Sequence, residues 1–567
     1  MRIPLGWTPP SLEPGPGQVR WDVRGRALVL GEIVRRRHVQ LNLTGGRLVP
    51  GDTVELAYGG DPDGAQFQPW VTDLPARFEV EVDEAGDGRF VLDAWADLAV
   101  EPGPPAHLHV VAPSSALAGQ AVSVRVAVLD AYGNLQRQTS GCAELAVEGS
   151  SLAAARADCF SVIEGLGAAT VRLAGPGVHR FRVTLLELGL SARSNPCRVF
   201  GSVEPVPAGL TLGGPFWGDP HVHTVLSDGA GSADFALTYA RDVALLDFSA
   251  IADHDIEHHH AWFTRQRQRL SDEEWQQLAG VLRRHRRPGR FAALRGYEWT
   301  GRPYGDRCVY FRDDDVPMRR YEPDDAPTPE QLWQGLQQSS ADGALVVPHT
   351  VVSHFMGTDW AAHDADIERL VEIYSMHGAS EFPGCPLEMS GAVAGRSIRE
   401  ALARGYRFGF CAGSDTHSSQ PGNPVLDMGP YRTLRHKPGL TAVYADTLSE
   451  AALFDAMRRR RTYATTGARI LVWFEVSGTP MGGELTLPRT VRPVVRAWVS
   501  ATAPLAEVSV IRDGEVTAVM QPHGQQDLEF TWEDSAERTD PARYYYLRAV
   551  QTDGEMAWTS PVWVVSG

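Results

Sequence analysis

At 567 residues the chain exceeds what one hydrophobic core usually organises, so several domains are expected. Its composition, 43% hydrophobic and 22% charged, is ordinary for a globular protein in water, and no run is apolar enough to span a membrane. A net charge of -17 leaves no basic surplus to neutralise a nucleic-acid backbone. That argues against nucleic acid as a general partner but leaves room for a small phosphorylated substrate at a metal site.

The opening Met1-Arg2-Ile3-Pro4-Leu5-Gly6 carries neither a long apolar run nor a cleavage signal. The six cysteines, Cys142, Cys159, Cys197, Cys308, Cys385 and Cys411, form no Cys-x-x-Cys pair, so a zinc ribbon is not expected. The expectation is a reduced, cytoplasmic protein in which Cys142, Cys159 and Cys197 are buried free thiols, with a bridge among them as the alternative.

The first ~200 residues pattern as β structure. Val122-Ser123-Val124-Arg125-Val126-Ala127-Val128 alternates as a half-buried strand does, and Asp130-Ala131-Tyr132-Gly133-Asn134 then reads as a turn. Two proline and glycine clusters, Glu101-Pro102-Gly103-Pro104-Pro105 and Glu204-Pro205-Val206-Pro207-Ala208-Gly209, mark boundaries. The rhythm then changes to strand and helix. Ser271-Asp272-Glu273-Glu274 is a capping box before an amphipathic run, Thr328-Pro329-Glu330-Gln331 places proline at a first helical position, and Ser449 caps a helix ending in four arginines. After residue 469 strands return, with Asp513-Gly514 and Asp553-Gly554 as hairpin turns. The expected division is an N-terminal β domain at 1–104, an immunoglobulin-like β-sandwich at 105–203, a βα region at 204–468 and a C-terminal β-sandwich at 469–567.

Within the βα region six short apolar stretches run into histidines or carboxylates. They lead to His221-Val222-His223, Asp253-His254, Glu298, His349, His377 and Asp415-Thr416-His417. Two histidines at i and i+2 on an extended segment point the same way. Taken singly, each motif is also read as a turn, a cap or a satisfied core polar group. Their co-occurrence at strand ends points to a parallel barrel with a site at one mouth, built from ligands for divalent metals.

These residues, in this order, resemble the polymerase and histidinol phosphatase (PHP) superfamily. Longer runs, Phe216-Trp217-Gly218-Asp219, Gly296-Tyr297-Glu298-Trp299-Thr300, Glu372-Ile373-Tyr374-Ser375 and Arg461-Thr462-Tyr463-Ala464-Thr465-Thr466-Gly467, are similar to an uncharacterised branch with flanking β domains. The resemblance implies a distorted (β/α)7 TIM-like barrel holding two or three divalent ions (manganese, zinc or iron) and hydrolysing phosphoesters. It implies as metal ligands His221, His223, Asp228, His254, Glu298 as the bridging carboxylate, His349, Asp415 and His417. Where relatives have Gly-His-x-Asn, this chain has Gly305-Asp306-Arg307-Cys308; Asp306 is either an oxygen ligand there or leaves that position unfilled.

The expected function is therefore a metal-dependent hydrolase, a phosphomonoesterase or phosphodiesterase, using a hydroxide that bridges two metal ions. His349, His377 or Asp415 would shuttle the leaving-group proton, and Arg307, Arg461 and His377 would grip the small-molecule substrate. Each arginine is equally read as an ion-paired structural group. Trp299 and Trp360 read as packing residues or pocket lining, and His258-His259-His260 as an exposed loop. The alternatives are a metallohydrolase of a non-phosphorus ester, lactone or amide, and a binding protein with an inactive barrel.

Overall fold

The computed structural model describes residues 19–24, 29–35, 38–45, 52–58, 68–83, 85, 87, 91–148, 156–201, 206–207, 210, 212–256, 269–339, 343–425 and 436–567. The opening hexapeptide and His258-His259-His260 lie outside them. The chain divides into two compact units. In the first, up to Pro102, three antiparallel strand pairs are described: Val19–Arg24 with Thr53–Tyr58, Val29–Arg35 with His38–Gly45, and Ala76–Val82 with Val91–Leu98.

The second unit begins at Gly103 and runs to Gly567, apart from 258–267 and 427–435. It opens with a nine-stranded, largely antiparallel sheet between His107–Val111 and Cys197–Phe200. Alternate residues of Ala121–Leu129 (Val122, Val124, Val126, Val128) enter its apolar core with Leu145, Phe181 and Val183. The cysteine expectation is corrected here. Cys142 and Cys159 lie on adjacent antiparallel strands with Cα atoms 5.8 Å apart, and they are paired as a disulfide. Cys197, Cys308, Cys385 and Cys411 are free and buried.

The next region carries the predicted metal motifs. Strands β1 (Phe216–Asp219), β2 (Phe248–Ala250) and β3 (Ala292–Trp299) are parallel neighbours. Gly218 is required there, because a Cβ would meet the Phe248 ring at 2.5 Å. Strand β4 (Arg307–Phe311) runs antiparallel to β3, and β5 (Ala344–Pro348) antiparallel to β4. Strands β6 (Leu370–Ser375) and β7 (Gly409–Ala412) are parallel to each other in a separate small sheet. Strand β8 (Leu440–Val443) returns antiparallel to β1, and β9 (Thr462–Thr465) antiparallel to β8.

A closed (β/α) barrel is not present among the described residues; the strands make a curled half-barrel sheet with few helices. Two local causes are visible. The short 300–306 connection has no room for a crossover helix, so β3, β4 and β5 form an antiparallel meander. Between β7 and β8, the Thr441 hydroxyl takes the place of a ladder, accepting from Ala412 N (2.9 Å) and donating to Ala412 O (2.6 Å).

The helices start where the sequence signals them. Ser271 and Glu274 form the capping box of α1 (Asp272–His285), Pro329 opens α2 (Pro329–Ser339), and Ser449 caps α3 (Glu450–Arg458). Phe216, Phe248, Leu294, Tyr310, Leu345 and Val347 pack together beneath the strand ends. Beyond β9 the sheet continues without a break, since Tyr463 pairs with Thr559 and the C-terminal strands Met556–Thr559, Ala542–Gln551 and Leu505–Arg512 follow. No helix among the described residues is long and apolar enough to cross a membrane.

Candidate metal centre

The two-histidine segment after β1 and the Asp415-Thr416-His417 segment after β7 lie side by side. Val222 and Thr416 form a parallel bridge, with Asp415 N donating to His221 O (2.9 Å) and His223 N to Thr416 O (3.0 Å). Alternation sends Val222 and Thr416, both fully buried, one way and His221, His223 and Asp415 the other. The buried Asp219 carboxylate fixes this pairing by accepting from the backbone N–H groups of His221 (3.2 Å), Ser414 (2.9 Å) and Gly422 (2.9 Å). Burial pushes its pKa up to about 6, against those hydrogen bonds. Asp253 plays a similar part, accepting from Thr224 N (2.7 Å) and the Thr224 hydroxyl (2.6 Å).

Glu298, at the end of β3, occupies the middle. Its Oε1 is 2.7 Å from His349 Nε2, while its Oε2 is 3.3 Å from His223 Nε2, 3.3 Å from His254 Nδ1 and 3.5 Å from His221 Nε2. Asp415 Oδ1 is 3.0 Å from His223 Nε2 and 3.5 Å from His221 Nε2. Asp228 reaches His417 Nε2 (3.2 Å), His223 Nδ1 (3.6 Å) and His254 Nε2 (3.7 Å). Asp306 joins Glu298 and His349 in another group. In the group of His223, Asp228, His254 and His417, in that of His221, His223 and Asp415, and in that of Glu298, Asp306 and His349, the donor atoms lie within 4.8 Å of one another, as metal ligands do.

Electrostatics tests the fit. Burial pushes the Glu298 carboxyl up, but His254 and His349 outweigh it and hold it well below the usual range. Asp306 is shifted the other way, first by burial and then by the Glu298 charge. Both Asp306 oxygens, Glu298 Oε2, His221 Nε2, His223 Nδ1 and His349 Nδ1 are buried without a hydrogen-bond partner. Such groups are costly unless something else pairs them. A set of imidazoles and carboxylates converging in this way fits one or more divalent cations.

The structure brings together nine of the sequence-derived residues: His221, His223, Asp228, His254, Glu298, Asp306, His349, Asp415 and His417. His377 stands at the rim, its side chain 18% exposed and Nε2 3.0 Å from Asp415 Oδ2. Arg307 is elsewhere. It is fully buried, its Nε donates to Glu368 Oε1 (2.8 Å), and Glu368 also holds His363 (2.8 Å). Arg307 is one residue out of phase with Asp306, so the strand turns it to the opposite face. Arg461 precedes Thr462, which is in register with Val443 and through it with Phe216, so it lies at the end of the sheet opposite His221. Trp299 and Trp360 are core residues that donate to Ala326 O (3.1 Å) and Arg396 O (2.7 Å).

Sequence reasoning missed Glu372. It is buried on β6 and its Oε2 is 3.1 Å from His221 Nδ1, so it orients the ring of a candidate ligand. The available signal was an acidic residue inside an otherwise apolar strand, Leu370-Val371-Glu372-Ile373.

Comparison with known proteins adds relatives but no activity. The family described as "Protein of unknown function (DUF3604)" matches residues 242–386 and 430–479. That span takes in His254, Glu298, Asp306, His349, Glu372 and His377. The chain is distantly related to an uncharacterized protein of Chlamydia muridarum, 25% identical over 91% of this chain and 84% of that protein. An uncharacterized protein of Chlamydia trachomatis serovar D is 24% identical with the same coverage. Among solved structures, a superoxide reductase (neelaredoxin) from Ignicoccus hospitalis is 20% identical over 17% of this chain and 82% of that one, with a TM-score of 0.14. A score that low carries no argument. The PHP resemblance therefore rests on the motifs alone.

Proposed function

We propose that this chain is a metal-dependent hydrolase of PHP type whose substrate is a phosphomonoester or phosphodiester. The observation that carries the reading is the position of Glu298, one buried carboxylate facing four histidines, with an oxygen no hydrogen bond satisfies. When bound there, adjacent divalent ions supply a water of lowered pKa and neutralise charge developing on a phosphoryl group. The chain's own residues do the rest. Glu372 fixes the His221 ring so that Nε2 faces inward. The Asp415 carbonyl accepts from His417 Nδ1 (3.0 Å), which orients the ring with Nε2 toward Asp228. His377, held by Asp415 and open to solvent, is placed to give a proton to the leaving group.

The test is a screen of the purified protein, loaded separately with manganese, zinc and iron, against phosphomonoesters, phosphodiesters, and carboxylic esters, lactones and amides. Phosphoester turnover that chelation abolishes is the expected result. Turnover confined to the non-phosphorus panel would replace the substrate class, and no turnover by a fully loaded protein would leave a binding protein.

A further inference from the structure

We propose that Cys308 is a sulfur donor to the ion that His221 and His349 hold; the inference rests on the metal-centre reading above. On antiparallel strands, residues directly opposite share a face, and Cys308 stands directly opposite Glu298. It also follows Asp306 at i+2, so both project to the Glu298 side while Arg307 between them turns away. One donor atom each of His221, Cys308 and His349 fall within 4.8 Å of one another, with all three residues buried. The second, independent observation is what surrounds the sulfur. His221 Nε2 and His349 Nδ1 are ring nitrogens of residues at most 2% exposed, and neither has a hydrogen-bond partner.

The other free cysteines supply the contrast. Cys411, equally buried, donates its thiol to Val371 O at 3.5 Å. Cys385 lies 3.9 Å from Ala379 O. Among the described residues Cys308 is the one cysteine in a group of candidate ligands. Binding forms a metal–sulfur bond and breaks the S–H bond, with the proton released to solvent. A thiolate is soft, so the ion it touches is zinc, iron or cobalt in preference to magnesium or manganese.

Cobalt(II) reports this directly. The full chain, stripped and reloaded with cobalt, should show a near-ultraviolet sulfur-to-cobalt charge-transfer band beside the visible bands of its histidine and carboxylate sites. Cys308→Ser should lose the charge-transfer band and keep the visible ones, and Cys411→Ser should keep both. X-ray absorption at the cobalt edge of the unaltered protein gives the same answer without depending on a variant's folding, through a sulfur scatterer in the first coordination sphere. Visible bands with no charge-transfer band and no sulfur scatterer would overturn the proposal while the metal centre stands. A band that survives Cys308→Ser would assign the sulfur to another cysteine and also overturn it. Failure to take up cobalt at all would overturn the metal-centre reading and this inference with it.

Discussion

Two carboxylates in this molecule are equally buried and opposite in kind. Glu381, 1% exposed, is fully paired: Oε1 accepts from Tyr546 OH (2.6 Å) and Arg548 Nη1 (3.1 Å), and Oε2 from Trp558 Nε1 (2.8 Å) and Arg548 Nη1 (3.1 Å). Glu298, also 1% exposed, has one oxygen on His349 and the other without a hydrogen bond, 3.5 Å from His221 Nε2, which is itself unpaired. The first cluster is finished by protein groups and ties the turn after β6 to the C-terminal sheet. The second keeps donor atoms that no hydrogen bond uses, in groups spaced to hold a metal ion. Burial of a carboxylate is thus no sign of function; unfilled bonding capacity around it is.

Breaking the finished cluster should cost the most stability and nothing else. Arg548→Met leaves the Glu381 charge buried without its cation, so unfolding of the second unit in denaturant should become easier by about 3–5 kcal/mol. Its metal-to-protein ratio should match that of the unaltered chain.

The open cluster should respond the other way. Glu298→Gln keeps the shape of the side chain but not the charge that offsets cation repulsion. Steady-state kinetics should show turnover falling by more than the roughly 10–100-fold seen when an outer partner is lost. Circular dichroism should show the fold retained. Glu372→Gln acts one layer out, so competition with a chelator should show metal affinity weakened by about 10–100-fold. The smallest effect is at Asp306. Asp306→Ala should lower the occupancy of one ion, and Asp306→His should restore it and shift preference toward zinc, read from metal ratios across the proteins.

The sequence made the candidate ligand residues legible because alternation is local. A His-x-His or Asp-x-His segment beyond an apolar run announces its own geometry. It did not reveal what holds those segments, since Asp219, Asp253 and Glu372 act on residues distant in the chain, Ser414, Thr224 and His221 among them. Arg307 and Arg461 show the same limit. Both are cationic and near motifs, but strand phase and register decide which way and at which end each one points. Barrel closure was not legible either: the number of strands with functional ends could be counted, but the β3–β4–β5 meander follows from a connection too short for a helix. The Cys142–Cys159 bridge required knowing which strands are neighbours.

The central claim, that the residues around Glu298 form a cation site, is tested most directly by elemental analysis of the purified chain before and after dialysis against chelator, beside Glu298→Gln. The account predicts roughly two to three transition-metal ions per chain, as multinuclear hydrolase sites hold, removed by the chelator and substantially lost in the variant. Fewer than about one ion per chain under metal-replete purification, or an unchanged ratio in Glu298→Gln, would contradict it.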